Sequence, residues 1–300
     1  RPGRERLRRP ATHVDKPPGV NAPPELAARL AAATGRRLVD ALALGGGCIA
    51  PVYRVRLDDG AELVAKLGRG LALEARMLCD LAPHAPVPAV VHVDDTMLLT
   101  TYIATRGGLT PAAERDLARV VANIHAVAGP RYGYGYDTVI GGLPQPNGDS
   151  DDWIAFFRDR RLLAMARQAL DARRLPASLM SRIERLAGRL ERWIDAPQAP
   201  ALIHGDLWGG NILARDGRIV GLIDPALYFA DPEIELAFMT LFDTVSDAFF
   251  AAYGERRALR PGFLEARRDL YNLYPLLVHV RLFGGGYVGD VARILERFGM

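Results

Sequence analysis

One stretch constrains this chain more than any other. It is Leu202-Ile203-His204-Gly205-Asp206-Leu207-Trp208-Gly209-Gly210-Asn211-Ile212-Leu213, followed by Ile219-Val220-Gly221-Leu222-Ile223-Asp224-Pro225. Each segment is an apolar run that ends in polar groups. Residues 219–223 read as a short buried strand with Asp224 emerging from its end. Asp206 and Asn211 lie five apart, and Asp224 follows thirteen after Asn211. A carboxylate that can take a hydroxyl proton, with an amide and a second carboxylate that can hold Mg²⁺, is the minimum apparatus of phosphoryl transfer. That chemistry needs little covalent help and much positioning. A chain built around such residues should therefore also carry a nucleotide site.

The first third supplies one. A helix is expected over 23–35, opened by Pro23-Pro24-Glu25 and stopped by Gly35. Residues 39–44, 52–57 and 62–67 read as strands, with Asp58-Asp59-Gly60 as the hairpin turn between the last two. Gly45, Gly46 and Gly47 lie between the first two strands, where backbone without Cβ can present N–H groups to phosphates. Lys66 stands in mid-strand, in Leu63-Val64-Ala65-Lys66-Leu67. A buried ammonium needs a partner, and Glu74, on the helix expected over 71–81, is the obvious one for a phosphate-holding pair. Residues 87–93 and 96–103 complete a five-stranded sheet. Cys48 directly follows the glycines. It reads either as a small hydrophobe or as a site of redox sensitivity in nucleotide binding, which equal peroxide responses of wild type and Cys48→Ser would exclude.

From Thr110 the pattern turns helical. Thr110 is an N-cap with Pro111 just inside, and Leu117, Val120, Val121 and Ile124 form the buried stripe of a helix ending at His125. Residues 129–149, rich in Gly, Tyr and Pro, read as a long irregular loop of the kind that is usually functional. Helices are expected over 153–170, 179–193, 232–250, 263–283 and 288–298. The order is strands first, then the catalytic segment between helices. This makes an α+β chain of two lobes, a small antiparallel five-stranded sheet and a larger mainly helical body, and excludes a doubly wound sheet. The expected divisions are a disordered basic arm over 1–21, a nucleotide-binding lobe over 22–103, and a catalytic and substrate lobe over 104–300. His204 competes with Asp206 as base, but a carboxylate already occupies that position, so a structural role is expected. Trp208 is either core packing or a platform beside the acceptor hydroxyl, since sugars and amines stack on aromatic faces.

Composition narrows the partners. The net charge of +3 comes partly from the first nine residues, so the body gives no case for nucleic-acid binding. Two cysteines, Cys48 and Cys79, provide neither a disulfide framework nor metal-ligand spacing. No apolar run approaches the roughly 18 residues that a membrane span needs. The expectation is a cytoplasmic protein, monomeric or weakly dimeric, with no membrane or nucleic-acid partner.

These motifs resemble the fructosamine/ketosamine-3-kinases, relatives of the aminoglycoside and choline phosphotransferases within the protein-kinase-like fold. His-Gly-Asp with a later Asn and Asp is general to the larger group. The run His204 to Asn211, with Trp208 and the Gly209-Gly210 pair, narrows the match. It continues in Asp224-Pro225-Ala226-Leu227-Tyr228-Phe229-Ala230-Asp231-Pro232-Glu233, Ile140-Gly141-Gly142-Leu143-Pro144-Gln145-Pro146-Asn147, Trp153, Phe156-Phe157, Arg160-Arg161-Leu162, Tyr271-Asn272-Leu273-Tyr274 and Leu282-Phe283-Gly284-Gly285-Gly286-Tyr287. The resemblance implies a kinase using ATP and Mg²⁺ on the 3-hydroxyl of ketoamines, borne by small amines or protein lysines, with deglycation following. It implies Asp206 as base, Asn211 and Asp224 as metal ligands, Lys66 and Glu74 on the phosphates, and Thr101, Tyr102 and Ile103 as the adenine hinge. The chain departs from the family in the short spacing between Lys66 and Glu74, in Thr101 where an acidic residue is common, in Glu235 where Asp is usual, and in Ala50-Pro51. Two alternatives stand beside it. An aminoglycoside phosphotransferase would gather more acidic residues than Asp137, Asp149, Asp151, Asp152 and Asp159 around its acceptor. A silent kinase-like binding module would have lost the Lys, the base or the metal Asp.

Overall fold

The computed structural model describes residues 23–45, 50–195, 197 and 199–300. Gly46, Gly47 and Cys48 lie outside the described residues, as does the expected arm over 1–21. Helix α1 (Leu26–Thr34) buries Leu26 and Leu30, one turn apart, and ends where Gly35, at φ +69°, returns its N–H to the Ala31 carbonyl. Strands β1 (Leu38–Leu44), β2 (Val52–Leu57), β3 (Glu62–Leu67), β4 (Val90–Val93) and β5 (Met97–Thr101) form one antiparallel sheet in the order β1-β2-β3-β5-β4. The sheet ends earlier than the sequence suggests. Pro86 and Pro88 cannot donate to a ladder, so β4 begins only at Val90.

Period-two alternation gives this sheet two apolar faces. Val55, Ala65 and Leu99 pack with Leu26 and Leu30 of α1. Leu98 packs on the other side with Leu71, Ala75 and Leu78 of helix α2 (Leu71–Leu81). Thus α2 lies on the face to which Lys66 belongs, because Lys66 pairs directly with Leu98.

The larger lobe surrounds helix α3 (Pro111–His125), capped as expected by the Thr110 hydroxyl accepting from the Ala113 N–H. The segment read as an irregular loop is ordered into strands β6 (Tyr132–Tyr134), β7 (Thr138–Ile140), β8 (Leu143–Gln145) and β9 (Gly148–Ser150). Its strands are three residues each, too short to show a period. Buried Thr138, Gln145 and Asn147 hold it instead, with Gln145 donating to the Thr138 hydroxyl at 2.7 Å and Asn147 at 2.9 Å. Helices α4 (Trp153–Phe156) and α5 (Leu163–Asp171) are joined by a π-helical turn over Phe157–Leu162, and α6 (Ala177–Ala187) follows.

Strands β10 (Ala201–Ile203) and β13 (Tyr228–Ala230) pair with β6 and β9 in the order β10-β13-β6-β9, and β11 (Ile212–Arg215) with β12 (Arg218–Leu222) forms a hairpin. The helix expected over 232–250 is instead two, α7 (Glu233–Leu241) and α8 (Asp247–Gly254). Asp243 breaks it at φ +49°, and the Ser246 hydroxyl restarts it as N-cap, itself bonded at 2.5 Å to Glu114 of α3. Helices α9 (Arg268–Phe283) and α10 (Gly286–Arg297) close the core. Among the described residues no helix is long and apolar enough to cross a membrane.

Candidate active site

The cleft between the lobes brings the predicted groups together from three directions. From the sheet, the Lys66 ammonium lies 2.6 Å from Glu74 Oε2 and 3.0 Å from Asp224 Oδ1. The eight-residue spacing of Lys66 and Glu74 suffices because Gly70, at φ +77°, starts α2 almost directly after β3. Burial disfavours the ammonium, but the Asp224 and Glu74 carboxylates outweigh it and hold Lys66 above its ordinary pKa. Burial and the Asp224 charge push the Glu74 carboxyl up, against the pull of Lys66.

Asp206 follows β10 on a turn that only glycine permits. Gly205 sits at φ +86°, and a Cβ there would lie 2.1 Å from the Ala226 carbonyl oxygen. The Gly205 N–H donates to Glu235 Oε1 at 2.7 Å, while Glu235 Oε2 meets buried His125 at 2.9 Å and His125 meets the Tyr253 hydroxyl at 2.8 Å. Glu235 noted as a departure thus reaches two partners at once, and His125 and Tyr253 have no signal in the sequence beyond helix-face position. His204 is fully buried. Its Nε2–H donates to the Ile223 carbonyl at 3.1 Å, and its Nδ1 accepts from the Asp206 N–H at 3.3 Å. Burial lowers its pKa, so the ring is neutral with both nitrogens engaged. It fixes the backbone at Asp206 and next to Asp224, and has no nitrogen left for base chemistry.

Asn211 donates through Nδ2 to the Asp206 carbonyl at 2.8 Å and to Asp206 Oδ2 at 3.1 Å. This orientation leaves the amide oxygen as an acceptor. Asp224 adopts φ +53°, a left-handed conformation that Asp tolerates better than most side chains, and its carboxylate is about half exposed. Two oxygen ligands suit Mg²⁺, which commonly takes one or two protein carboxylates and completes its shell with phosphate oxygens and water. Burial pushes the Asp206 carboxyl up to about 7, with repulsion from Asp224 adding to it.

Trp208 is half-buried, and its ring lies against Gly210: a Cβ at Gly210 would be 2.3 Å from the indole. Gly209 faces open space, and its N–H donates to the Thr244 hydroxyl at 3.2 Å. Of the hinge residues, Thr101 uses its side chain on the residue just before β4, accepting from the Ala89 N–H at 2.9 Å. Tyr102 lies under the Arg54 guanidinium, 4.2 Å from ring centre. Ile103 reaches Gly221 on the strand leading to Asp224, where an added Cβ would stand 2.7 Å from its Cδ1. Gly45 directly follows β1 and stands in a turn.

Sequence reasoning assigned no role to Arg161. It is fully buried on the π-helical turn, 3.8 Å from the Tyr228 ring centre, and donates to the Pro146 carbonyl at 2.7 Å and Asn147 Oδ1 at 2.6 Å. Among the described residues it forms no ion pair with a carboxylate. Aromatic faces and carbonyls hold the charge instead.

A lysine–glutamate pair under a five-stranded sheet, facing Asp206 and Asn211 after β10 and Asp224 after β12, defines a kinase-like phosphotransferase. The chain belongs to the fructosamine kinase family, whose model matches residues 25–299. It is 31% identical over 300 residues to a protein of Synechocystis described as a probable ketoamine kinase, covering 93% of this chain and 98% of that one. It is 32% identical over 270 residues to the chloroplastic protein-ribulosamine 3-kinase of Oryza sativa subsp. indica, covering 85% of this chain and 77% of the relative. A crystal structure from Thermobifida fusca described as a fructosamine-3-kinase superposes with a TM-score of 0.82 at 33% identity, over 93% of this chain and 100% of that chain. This protein is an ATP-dependent phosphotransferase of the ketoamine kinase kind.

Proposed function

We propose that the enzyme transfers the γ-phosphoryl group of Mg·ATP to the 3-hydroxyl of ketoamines, fructosamine or ribulosamine adducts of amines or protein lysines. Asp206 takes the hydroxyl proton as the O3–P bond forms and the bond to the β-phosphate oxygen breaks, releasing ADP. Asn211 and Asp224 would hold Mg²⁺, which would offset the charge developing on the transferred group. Lys66, held by Glu74, would bind the phosphates, with backbone N–H groups of Gly45, Gly46 and Gly47 as further donors, and Thr101, Tyr102 and Ile103 would offer backbone to adenine. The 3-phosphate then leaves by elimination and the free amine is regenerated, so the reaction serves deglycation. The reading places the enzyme in the cytoplasm.

The observation that carries this reading is the convergence of Lys66, Asp224 and the Asn211-bound Asp206 on one cleft, with the half-buried indole of Trp208 two residues from the base. An aromatic platform suits a sugar acceptor. The test is Mg·ATP consumption with ribulosamine, fructosamine and aminoglycoside acceptors side by side. Turnover of the ketoamines is expected. Faster turnover of an aminoglycoside would replace the reading with that of another small-alcohol phosphotransferase. No turnover of any acceptor would favour a silent binding module.

A further inference from the structure

Helix α2 carries Glu74, yet much of its anchoring lies in the opposite lobe. Leu71, Ala75 and Leu78 pack under the sheet, whereas Met77 and Leu81 are fully buried in the core of the large lobe. At its C-terminal end Asp80 reaches across the cleft. Asp80 Oδ2 accepts from the Tyr136 hydroxyl at 2.6 Å and the Tyr134 hydroxyl at 3.1 Å. The two rings meet edge to face at 5.0 Å, and the Arg76 guanidinium lies 3.7 Å from the centre of Tyr136. Just beyond the helix, the Pro86 carbonyl accepts from the N–H of Leu222, two residues before Asp224. Tyr134 ends β6, and Tyr136 lies in the bend that leads to β7. The same segment bears Gln145, which donates to the Ala226 carbonyl that closes over Gly205.

We propose that Asp80 is a positioning residue for the Lys66–Glu74 pair. It clamps α2 to the strands behind the catalytic loop, so that Glu74 is carried by the large lobe and meets Lys66 without a separate activating movement of the helix. Both hydroxyls are held protonated: burial, with the Asp80 carboxylate adding to it, raises Tyr134 to about 12 and Tyr136 higher still. Both tyrosines therefore remain hydrogen-bond donors to Asp80 at neutral pH. Asp80 touches neither Lys66 nor Glu74 in the contacts described, so its effect on nucleotide must pass through the helix.

This inference rests on the assignment of Glu74 to the phosphate pair, and a binding cycle tests the two separately. The measurement is the Kd of Mg·ADP by calorimetry, on the full chain, for wild type, Glu74→Gln, Asp80→Ala and the double variant, which needs no acceptor. Loss of the clamp should weaken Mg·ADP about tenfold, as removing a charge-assisted hydrogen bond does. Glu74→Gln should weaken it by a similar factor, and the double variant should be no weaker than Glu74→Gln within about twofold, since both act through one pair. Asp80→Asn, whose amide oxygen can still accept both hydroxyls, should restore most of the loss. Tyr136→Phe repeats the test should Asp80→Ala fail to fold. Wild-type Mg·ADP affinity in the folded clamp variants, or losses that multiply in full in the double variant, would overturn the role of Asp80. If Glu74→Gln itself binds Mg·ADP as wild type does, the assignment of Glu74 falls, and the clamp's role falls with it.

Discussion

Two segments of the large lobe meet at Ala226 and are built on opposite terms. In residues 202–213 the side chains proposed to react stay within reach of the cleft, and buried His204 and Glu235 hold the backbone. His204 ties Asp206 to Ile223, and Glu235 receives the Gly205 N–H. In residues 132–150 the polar side chains are themselves the buried scaffold. Gln145 is fully buried, donates to Thr138 and the Ala226 carbonyl, and accepts from the Tyr274 hydroxyl at 2.6 Å. One segment spends residue identity on chemistry, the other on structure. Substitutions should therefore separate turnover from stability in opposite directions.

The largest effect should come from Asp206→Asn. Removing a general base typically costs 10²–10⁴ in rate, and kcat should fall by about 10³ in an ATP-consumption assay. Stability should not fall with it. Burial and the facing Asp224 already disfavour the ionised form of Asp206, so a neutral amide of the same shape relieves repulsion and keeps the bond to Asn211. A melting temperature within about 2 °C of wild type is expected. A collapse of the fold together with activity would erase the contrast.

Gln145→Leu should do the reverse. It strands the Tyr274 hydroxyl and the Ala226 carbonyl in the core, at about 1–3 kcal/mol for each buried group left unpaired. For a chain of this size that is a fall of roughly 4–12 °C in melting temperature. The catalytic groups are untouched, so kcat/KM measured well below the transition should stay within about tenfold. Thermal melts beside single-temperature kinetics decide it: unchanged stability with lost turnover would move Gln145 from scaffold to chemistry.

The same division explains what could be read from the chain. Lys66, Glu74, Asp206, Asn211 and Asp224 stood out as candidates because phosphoryl transfer allows few residue types, and the structure sets them in one cleft. The five strands and α3 were legible from period and caps. The strands β6 to β9 were not, because three-residue strands carry no period, and the polar residues that hold them look like loop residues. The break between α7 and α8 was hidden for a similar reason: it depends on Glu114, which binds Ser246 from 132 positions away. Arg161 was beyond reach too, since a buried cation held by tyrosine faces and carbonyls shows no charge partner in sequence.

The smallest expected effect sharpens the comparison within the catalytic segment itself, at two adjacent glycines. A Cβ on Gly210 would sit 2.3 Å from the Trp208 indole, which belongs to the rigid flat end of that side chain, so the ring must swing away. If Trp208 is the sugar platform, Gly210→Ala should raise the acceptor KM about tenfold, the scale of one lost aromatic contact, while the ATP KM holds. At Gly209 nothing lies within 4 Å of an added Cβ, and the N–H that binds Thr244 survives. Gly209→Ala should change neither KM by more than about twofold, the level of ordinary surface substitutions. Steady-state kinetics with each substrate varied separately distinguishes the pair. Equal behaviour of the two variants would mean that the indole is packing alone, and would return Trp208 to the scaffold side of the comparison.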